Sequence, residues 1–334
     1  MRFGMPPVRA YQRRDTQPRV VALGGGHGLA ATLGALRHVT SDLTAIVTVA
    51  DDGGSSGRLR QELGVLPPGD LRMALSALCD ESDWGHVWRD VLQHRFHSSG
   101  SLDGHAVGNL LIATVWELLE DPVAGLDLIG QLLGAKGRVL PMAAVPLEIE
   151  AEVSHGQEGP RSLVRGQSRV AVTSGHVERV RLLPGEPPAC AEAVEAIHAA
   201  DWVILGPGSW FTSVMPHLLV PEIAAALQAT QARLALTLNL SAQQGETTGF
   251  SAADHVRVLT EYAAELRLDV VIADPSSVTN LDELTAASNQ IGGRLLLRQV
   301  SEGDGTPRHD TLRLAAAYSD AFERFLGDVG EQSG

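Results

Sequence analysis

The residues with chemical potential lie in a few polar segments of an otherwise apolar chain. Gly24-Gly25-Gly26-His27-Gly28 follows a short apolar run and opens a helical pattern. Glycines at such a turn let the backbone approach an anion closely, and the helix N-terminus adds partial positive charge, which suits phosphate. Gly206-Pro207-Gly208-Ser209-Trp210-Phe211-Thr212-Ser213 repeats the arrangement with hydroxyls on Ser209, Thr212 and Ser213. Two such loops on one rim suit a diphosphate. Ala50-Asp51-Asp52-Gly53-Gly54-Ser55-Ser56-Gly57-Arg58 lies past a second apolar run. Neighbouring carboxylates there are costly unless solvated, metal-bound or hydrogen-bonded. Asp51 or Asp52 is therefore expected to meet Mg²⁺ or a ligand hydroxyl. Gly53, Gly54 and Ser55 offer amides and a hydroxyl, and Arg58 offers a fork for phosphate or carboxylate. A flexible loop ending in a helix cap is the plainer alternative.

Pro67-Pro68-Gly69-Asp70-Leu71-Arg72 reads as a rigid turn into a helix, with Asp70 either capping it or facing a ligand. Arg72 is a further candidate phosphate ligand. Asn109, in Gly104-His105-Ala106-Val107-Gly108-Asn109, is placed to read a base or sugar edge. Asn239 and Gln244-Gly245-Glu246-Thr247 complete the same rim. Lys136 is the only lysine, so there is no Gly-Lys-Ser/Thr of a Walker-A loop. Phosphate must be held by backbone amides, helix N-termini and arginine. Gly26-x-Gly28-x-x-Ala31, with Asp51 near the end of the next strand, also fits the dinucleotide fingerprint and leaves an NAD-binding oxidoreductase as an alternative.

The elements that must position these residues follow from periodicity. Arg19–Leu23 and Leu43–Val49 read as buried strands around a helix over Leu29–His38. Such a unit implies a right-handed parallel crossover. Helices are predicted over Gly69–Cys79, Trp84–His94, Ala106–Leu119 and Pro122–Leu133. Arg138–Met142, Leu147–Val153, Arg169–Thr173 and Val177–Leu183 read as short strands of a β-rich insertion over about 137–183. The α/β alternation then resumes. Its strands are Trp202–Leu205, Arg233–Asn239, Val270–Ala273 and Arg294–Val300, and its last helix is Thr311–Leu326. The fold class is therefore α/β, a Rossmann-like, mostly parallel open sheet with helices on both faces. Residues 19–327 make one domain between two disordered tails, 1–18 and 328–334. Loops 24–28, 50–57, 206–213 and 239–249 are expected on the carboxyl edge, where such sheets bind ligands.

The chain of 334 residues carries a formal charge of −14, which argues against a broad nucleic-acid footprint. Its apolar runs are far shorter than the ~20 residues that span a bilayer. Only two cysteines occur, so a disulfide framework is excluded and a reducing, cytoplasmic compartment is expected.

Val20–Gly28, Thr44–Leu63, Pro67–Arg72, Gly104–Asn109, Lys136–Pro141, Gly206–Pro216 and Gly245–His255 together resemble the YvcK family of gluconeogenesis factors, within the superfamily of the 2-phospho-lactate transferase CofD. The resemblance spans residues 19–325. It implies a cytoplasmic α/β protein that binds a UDP-sugar such as UDP-N-acetylglucosamine and is linked to cell shape, peptidoglycan supply and gluconeogenic growth. It implies no assigned reaction for this branch, whereas CofD transfers a phospho-lactyl group with Mg²⁺. On that model Asp51, Asp52 and Asp70 are the candidate metal ligands. Self-association is implied too, with Trp84 and Trp88 as the candidate surface and core packing as the alternative for them. The chain departs from the family's usual pattern at His27, where threonine is common, at Met73, where asparagine is common, and at Ser241-Ala242-Gln243-Gln244.

Overall fold

The computed structural model describes residues 17–155 and 160–326. In chain order the elements begin with β1 (Val20–Gly24), α1 (Gly26–Leu36), β2 (Leu43–Val47), α2 (Gly54–Leu63), α3 (Pro68–Leu78), α4 (Asp83–Gln93), α5 (Val107–Leu119), α6 (Pro122–Leu133) and β3 (Arg138–Pro141). Next come β4 (Glu148–Ser154), β5 (Arg161–Arg165), α7 (Gln167–Val170) and β6 (His176–Leu183). The chain ends with α8 (Ala191–Ala199), β7 (Trp202–Leu205), α9 (Pro221–Ala229), β8 (Arg233–Thr237), α10 (Ala252–Tyr262), β9 (Val270–Ala273), α11 (Leu281–Gln290), β10 (Arg294–Leu297) and α12 (Thr311–Leu326).

Seven strands form one sheet in the order β10-β9-β8-β7-β1-β2-β3, and every pairing in it is parallel. Helices surround it. All five residues of β1 and all four of β7 are buried, as a sheet covered on both faces requires. α1 packs through Leu29, Leu33 and Leu36, at helical spacing. Its buried Thr32 donates a hydrogen bond to the Gly206 carbonyl (3.1 Å), tying the first helix to the loop after β7. The Tyr318 hydroxyl of α12 lies 3.1 Å from the Thr237 hydroxyl, and burial pushes its phenol up to about 12. After β7 the chain coils through Trp210–Leu219. There the wholly buried His217 bonds through Nε2 to the Ile46 carbonyl (3.1 Å), and burial pushes the imidazole down to about 4, so the ring stays neutral beneath β2.

The small antiparallel sheet has the order β5-β4-β6. Cross-strand register sets Glu150 opposite both Arg165 and Arg181, and it pairs with both guanidiniums.

The structure corrects several boundaries. Arg138–Pro141 is not part of the β-rich insertion but the edge strand of the main sheet, parallel to β2. Arg169–Thr173 is not a strand. The third strand of the small sheet is Arg161–Arg165, whose alternating exposure is the period-two signal, and Gln167–Val170 is a helical turn after the left-handed Gly166. The supposed loop 50–57 already contains the start of α2, which ends on left-handed Gly64. Of the two expected tails, residues 1–16 and 328–334 lie outside the described residues. Gln17 and Pro18 lie inside and are held by Ser41 and Thr40. Among the described residues no single helix is long and apolar enough to cross a membrane.

Candidate functional site

The strand order reverses its direction between β1 and β7. The chain builds outward to β2 and β3 on one side, and to β8, β9 and β10 on the other. Parallel strands share a carboxyl edge, so the loops after β1, β2, β7 and β8 lie on one rim. The crevice at this switch point is where doubly wound sheets bind ligands.

The glycine loops after β1 and β7 meet there. A Cβ on Gly28 would overlap the Pro207 carbonyl and come within 2.6 Å of the Gly208 Cα. One on Gly25 would overlap the Thr48 hydroxyl and lie 2.6 Å from Asp70 Oδ2. Gly26 enters α1 at φ +56°, a conformation that favours glycine. His27 is exposed at the same helix start.

Two carboxyls stand beside the first loop. Asp70 accepts from the Thr48 hydroxyl (3.2 Å) and the Gly26 amide, yet burial and the Asp51 charge push it up to about 7. Asp51 accepts from the Gly53 amide (2.9 Å), and burial pushes it up as well. These acids are the pair suited to a cation. A divalent ion such as Mg²⁺ would draw on Asp51 and Asp70 and complete its shell with ligand phosphate and water. Among the described residues no group of three or more His, Cys, Asp or Glu converges on a metal position.

Several residues expected at the ligand have other work. The Asp52 carboxylate accepts from the Ser168 amide (2.9 Å) and so caps the α7 turn of the small sheet. Arg58 donates to the carbonyls of Ser101 (3.1 Å) and Asp103 (2.6 Å), pinning the loop before α5. Asn109 is 1% exposed; its Oδ1 accepts from Arg72 Nε (2.9 Å), and its Nδ2 donates to Ser55 Oγ (3.1 Å). Ser55 also meets His105 Nδ1 (3.0 Å), and Arg72 reaches Gln93. Burial lowers the Arg72 guanidinium to about 10. Ser55, Arg72 and Asn109 thus form an interior network behind the rim. Gly53 and Gly54 remain on it, with open space where a Gly54 side chain would be.

The second loop differs most from expectation. The Gly208 amide donates to Asn239 Oδ1 (3.0 Å), and Asn239 Nδ2 returns a bond to the Gly208 carbonyl (2.9 Å). The Trp210 amide donates to Gln243 Oε1 (3.1 Å), whose Nε2 reaches Ser209 Oγ (3.1 Å). Glu246, 2% exposed, accepts from the Phe211 amide (2.8 Å) and the Thr212 hydroxyl (2.6 Å). Burial raises the Glu246 carboxyl. A carboxylate of the chain itself therefore occupies donors that sequence reasoning gave to phosphate, and Ser213 is buried against Gly25. A Glu between Gly245 and Thr247 after a buried strand was the available signal.

Farther along the rim, a cavity of about 650 Å³ opens beyond Leu240. Asp274, Ser276, Gln299, Ser301 and Thr306 line it. Burial alone would raise Asp274, but bonds from Ser276, Ser301 and Val300 hold it at about 2. From sequence, Asp274-Pro275-Ser276 reads as a plain turn, with a segment facing the site as the alternative, and the other walls come from two separate loops. A similar cavity of about 660 Å³ lies against the small sheet, away from the rim.

Comparison with known proteins agrees with this architecture. The family model of 2-phospho-L-lactate transferase CofD matches residues 20–295. A Mycobacterium tuberculosis (strain ATCC 25618 / H37Rv) protein is 54% identical over 313 residues, covering 92% of this chain and 91% of its own. The gluconeogenesis factor of Bacillus subtilis is 37% identical over 92% of this chain and 99% of its own. The crystal structure of a UPF0052 family protein from Bacillus halodurans superposes with a TM-score of 0.81 at 32% identity, covering 90% of this chain and 99% of that one. With this fold, these motifs and these relatives, the chain belongs to the CofD-like family, in its YvcK or gluconeogenesis-factor branch.

Proposed function

We propose that the chain is a cytoplasmic protein that binds a nucleotide sugar of the UDP-N-acetylglucosamine type in the crevice between β1 and β7. It holds this ligand as a regulator of cell-wall supply and cell shape during gluconeogenic growth. The observation that carries this reading is the α1 N-terminus at the switch point. First-turn amides of a helix have no intrahelical partner. Asp70 takes that of Gly26, leaving those of His27 and Gly28 to face an anion. The start of α2 adds a second positive helix end on the same rim. The second glycine loop, with its donors engaged, acts as a wall rather than a cradle. The rim cavity beyond Leu240 falls in the size range of small-molecule sites.

Titration calorimetry of the full chain with UDP-N-acetylglucosamine, UMP and NAD⁺ tests this reading. Binding is expected for the diphosphate sugar, with a large loss for UMP and with intact ligand recovered. Equal affinity for UMP would show that the diphosphate is not what is recognised.

The Asp51–Asp70 pair favours one second reading, a Mg²⁺-dependent CofD-like transferase acting on a nucleotide-activated donor. The ion would there offset charge on the diphosphate. Ligand turnover, or binding that needs Mg²⁺ and loses that need in Asp51→Asn, would select it.

A further inference from the structure

The small sheet sends one turn back to the rim. Residues 166–173, which include α7, follow β5 and touch a loop on each side of the crevice. At one end the Ser168 amide donates to Asp52 Oδ1 (2.9 Å), and a Cβ on Gly166 would overlap Asp52 Oδ2. A Cβ on Gly53 would lie 3.3 Å from Asp51 Oδ1 and 3.8 Å from the Ser168 Cβ, so the turn adjoins the acids beside the first glycine loop. At the other end the carbonyl oxygens of Ala171 and Thr173 stand 2.6 and 3.2 Å from where a Gly245 Cβ would be. Gly245 precedes the Glu246 that engages the second glycine loop. The sheet order β8-β7-β1-β2 sets the ends of β1 and β7 between these two contacts. The turn also has anchors that do not involve Asp52. The Gly166 amide donates to the Ile149 carbonyl (2.8 Å), and Val170 is wholly buried.

We propose that Arg169, carried on this turn, is the arginine that binds the diphosphate of the ligand in the β1–β7 crevice. Arg169 is exposed, and among the described residues its guanidinium makes no ion pair or hydrogen bond. Its Cα lies about 3.8 Å from that of Ser168, which places the crevice within an arginine's reach. The other arginines that the sequence offers to phosphate are engaged. Arg58 holds the Ser101 and Asp103 carbonyls, and Arg72 holds Asn109 and Gln93. The N-terminus of α1 is worth only about half an elementary charge, whereas a diphosphate is multiply charged, so a full cation is needed beside it. A weakly hydrated planar guanidinium matches phosphate oxygens two at a time. The proposal rests on the nucleotide-sugar reading above and adds the residue that neutralises the phosphates. It makes the β-rich insertion a part of the ligand site.

Titration calorimetry of the full chain tests it, with UDP-N-acetylglucosamine as one probe and inorganic pyrophosphate as the bare anion. Arg169→Ala should weaken both by about 10- to 100-fold, the effect of losing a hydrogen bond to a charged group. Arg169→Lys should recover part of the loss, because it keeps the charge without the fork. Added salt should weaken binding by the wild type more steeply than binding by Arg169→Ala. Arg161→Ala, on the same small sheet but paired with Glu152 and Glu178, should bind as the wild type does. Loss of an exposed side chain should leave the thermal melting of the free protein unchanged. Should Arg169→Ala melt early, Arg169→Gln makes the same measurement. A folded variant with wild-type affinity and wild-type salt dependence would overturn the assignment of Arg169 and leave the nucleotide-sugar reading standing. A wild type that binds neither probe would overturn both.

Discussion

Asp70→Asn isolates the electrostatics of the rim. Asp70 titrates near 7 in the folded chain against an ordinary 3.8. The difference of about three pKa units is worth roughly 4 kcal/mol at ~1.4 kcal/mol per unit. Asp70 is partly exposed, and solvent screening lowers the expected value to about 2 to 4 kcal/mol. Because the folded value is raised, the neutral carboxyl's contribution to stability is fully present below about 3.8. It is lost as pH rises through about 7. Asparagine keeps the shape and an acceptor for Thr48 but carries no charge. It also relieves Asp51, whose charge raises Asp70. Urea unfolding of wild type and Asp70→Asn, in chelator to exclude divalent ions, should show little difference near pH 4. By about pH 8 the variant should be more stable by about 2 to 4 kcal/mol. Loss of a local hydrogen bond would shift the difference equally at both pH values, so the change with pH is the decisive quantity. A difference that stays flat from pH 4 to pH 8, or a variant that becomes relatively weaker as pH rises, would refute the burial and Asp51–Asp70 argument.

Asp52→Ala should cost about 1 kcal/mol in urea unfolding, as for a lost helix cap, and leave nucleotide-sugar affinity within about twofold. A large loss of affinity would return Asp52 to the ligand. Gly28→Ala forces a Cβ into the Pro207 carbonyl and should cost roughly 1 to 3 kcal/mol by thermal melting, with weakened ligand binding, because the two loops must separate. Asp274→Ala strands the amides of Val300 and Ser301 and should destabilise by about 3 kcal/mol. Because the folded Asp274 is depressed to about 2, the wild-type advantage over this variant should hold above about pH 4 and shrink as pH falls toward 2.

Much of the fold is legible in local pattern. Trp202–Leu205, Val270–Ala273 and Thr311–Leu326 stand where apolar periodicity puts them, because buried parallel strands and an amphipathic helix write their burial directly into adjacent residues. Parallel handedness likewise carries the glycine loops to a common rim. What local pattern does not contain is the identity of a neighbour across the chain. Arg138–Pro141 reads as a strand in isolation, but nothing in its own residues says that β2 is its partner rather than the small sheet. The same limit governs the site. The types and spacing of Gly24–Gly28, Asp51 and Asp70 already point to an anion and its counter-charge, because that capacity belongs to the local backbone and to the carboxyls themselves. Asp52, Asn109, Thr212 and Asn239 have equal chemical capacity, but each is engaged by a residue 31 to 116 positions away. Sequence alone therefore determines which groups are able to bind. Tertiary structure decides which are already satisfied, because a hydrogen-bonding atom engaged by the chain is not free for a ligand.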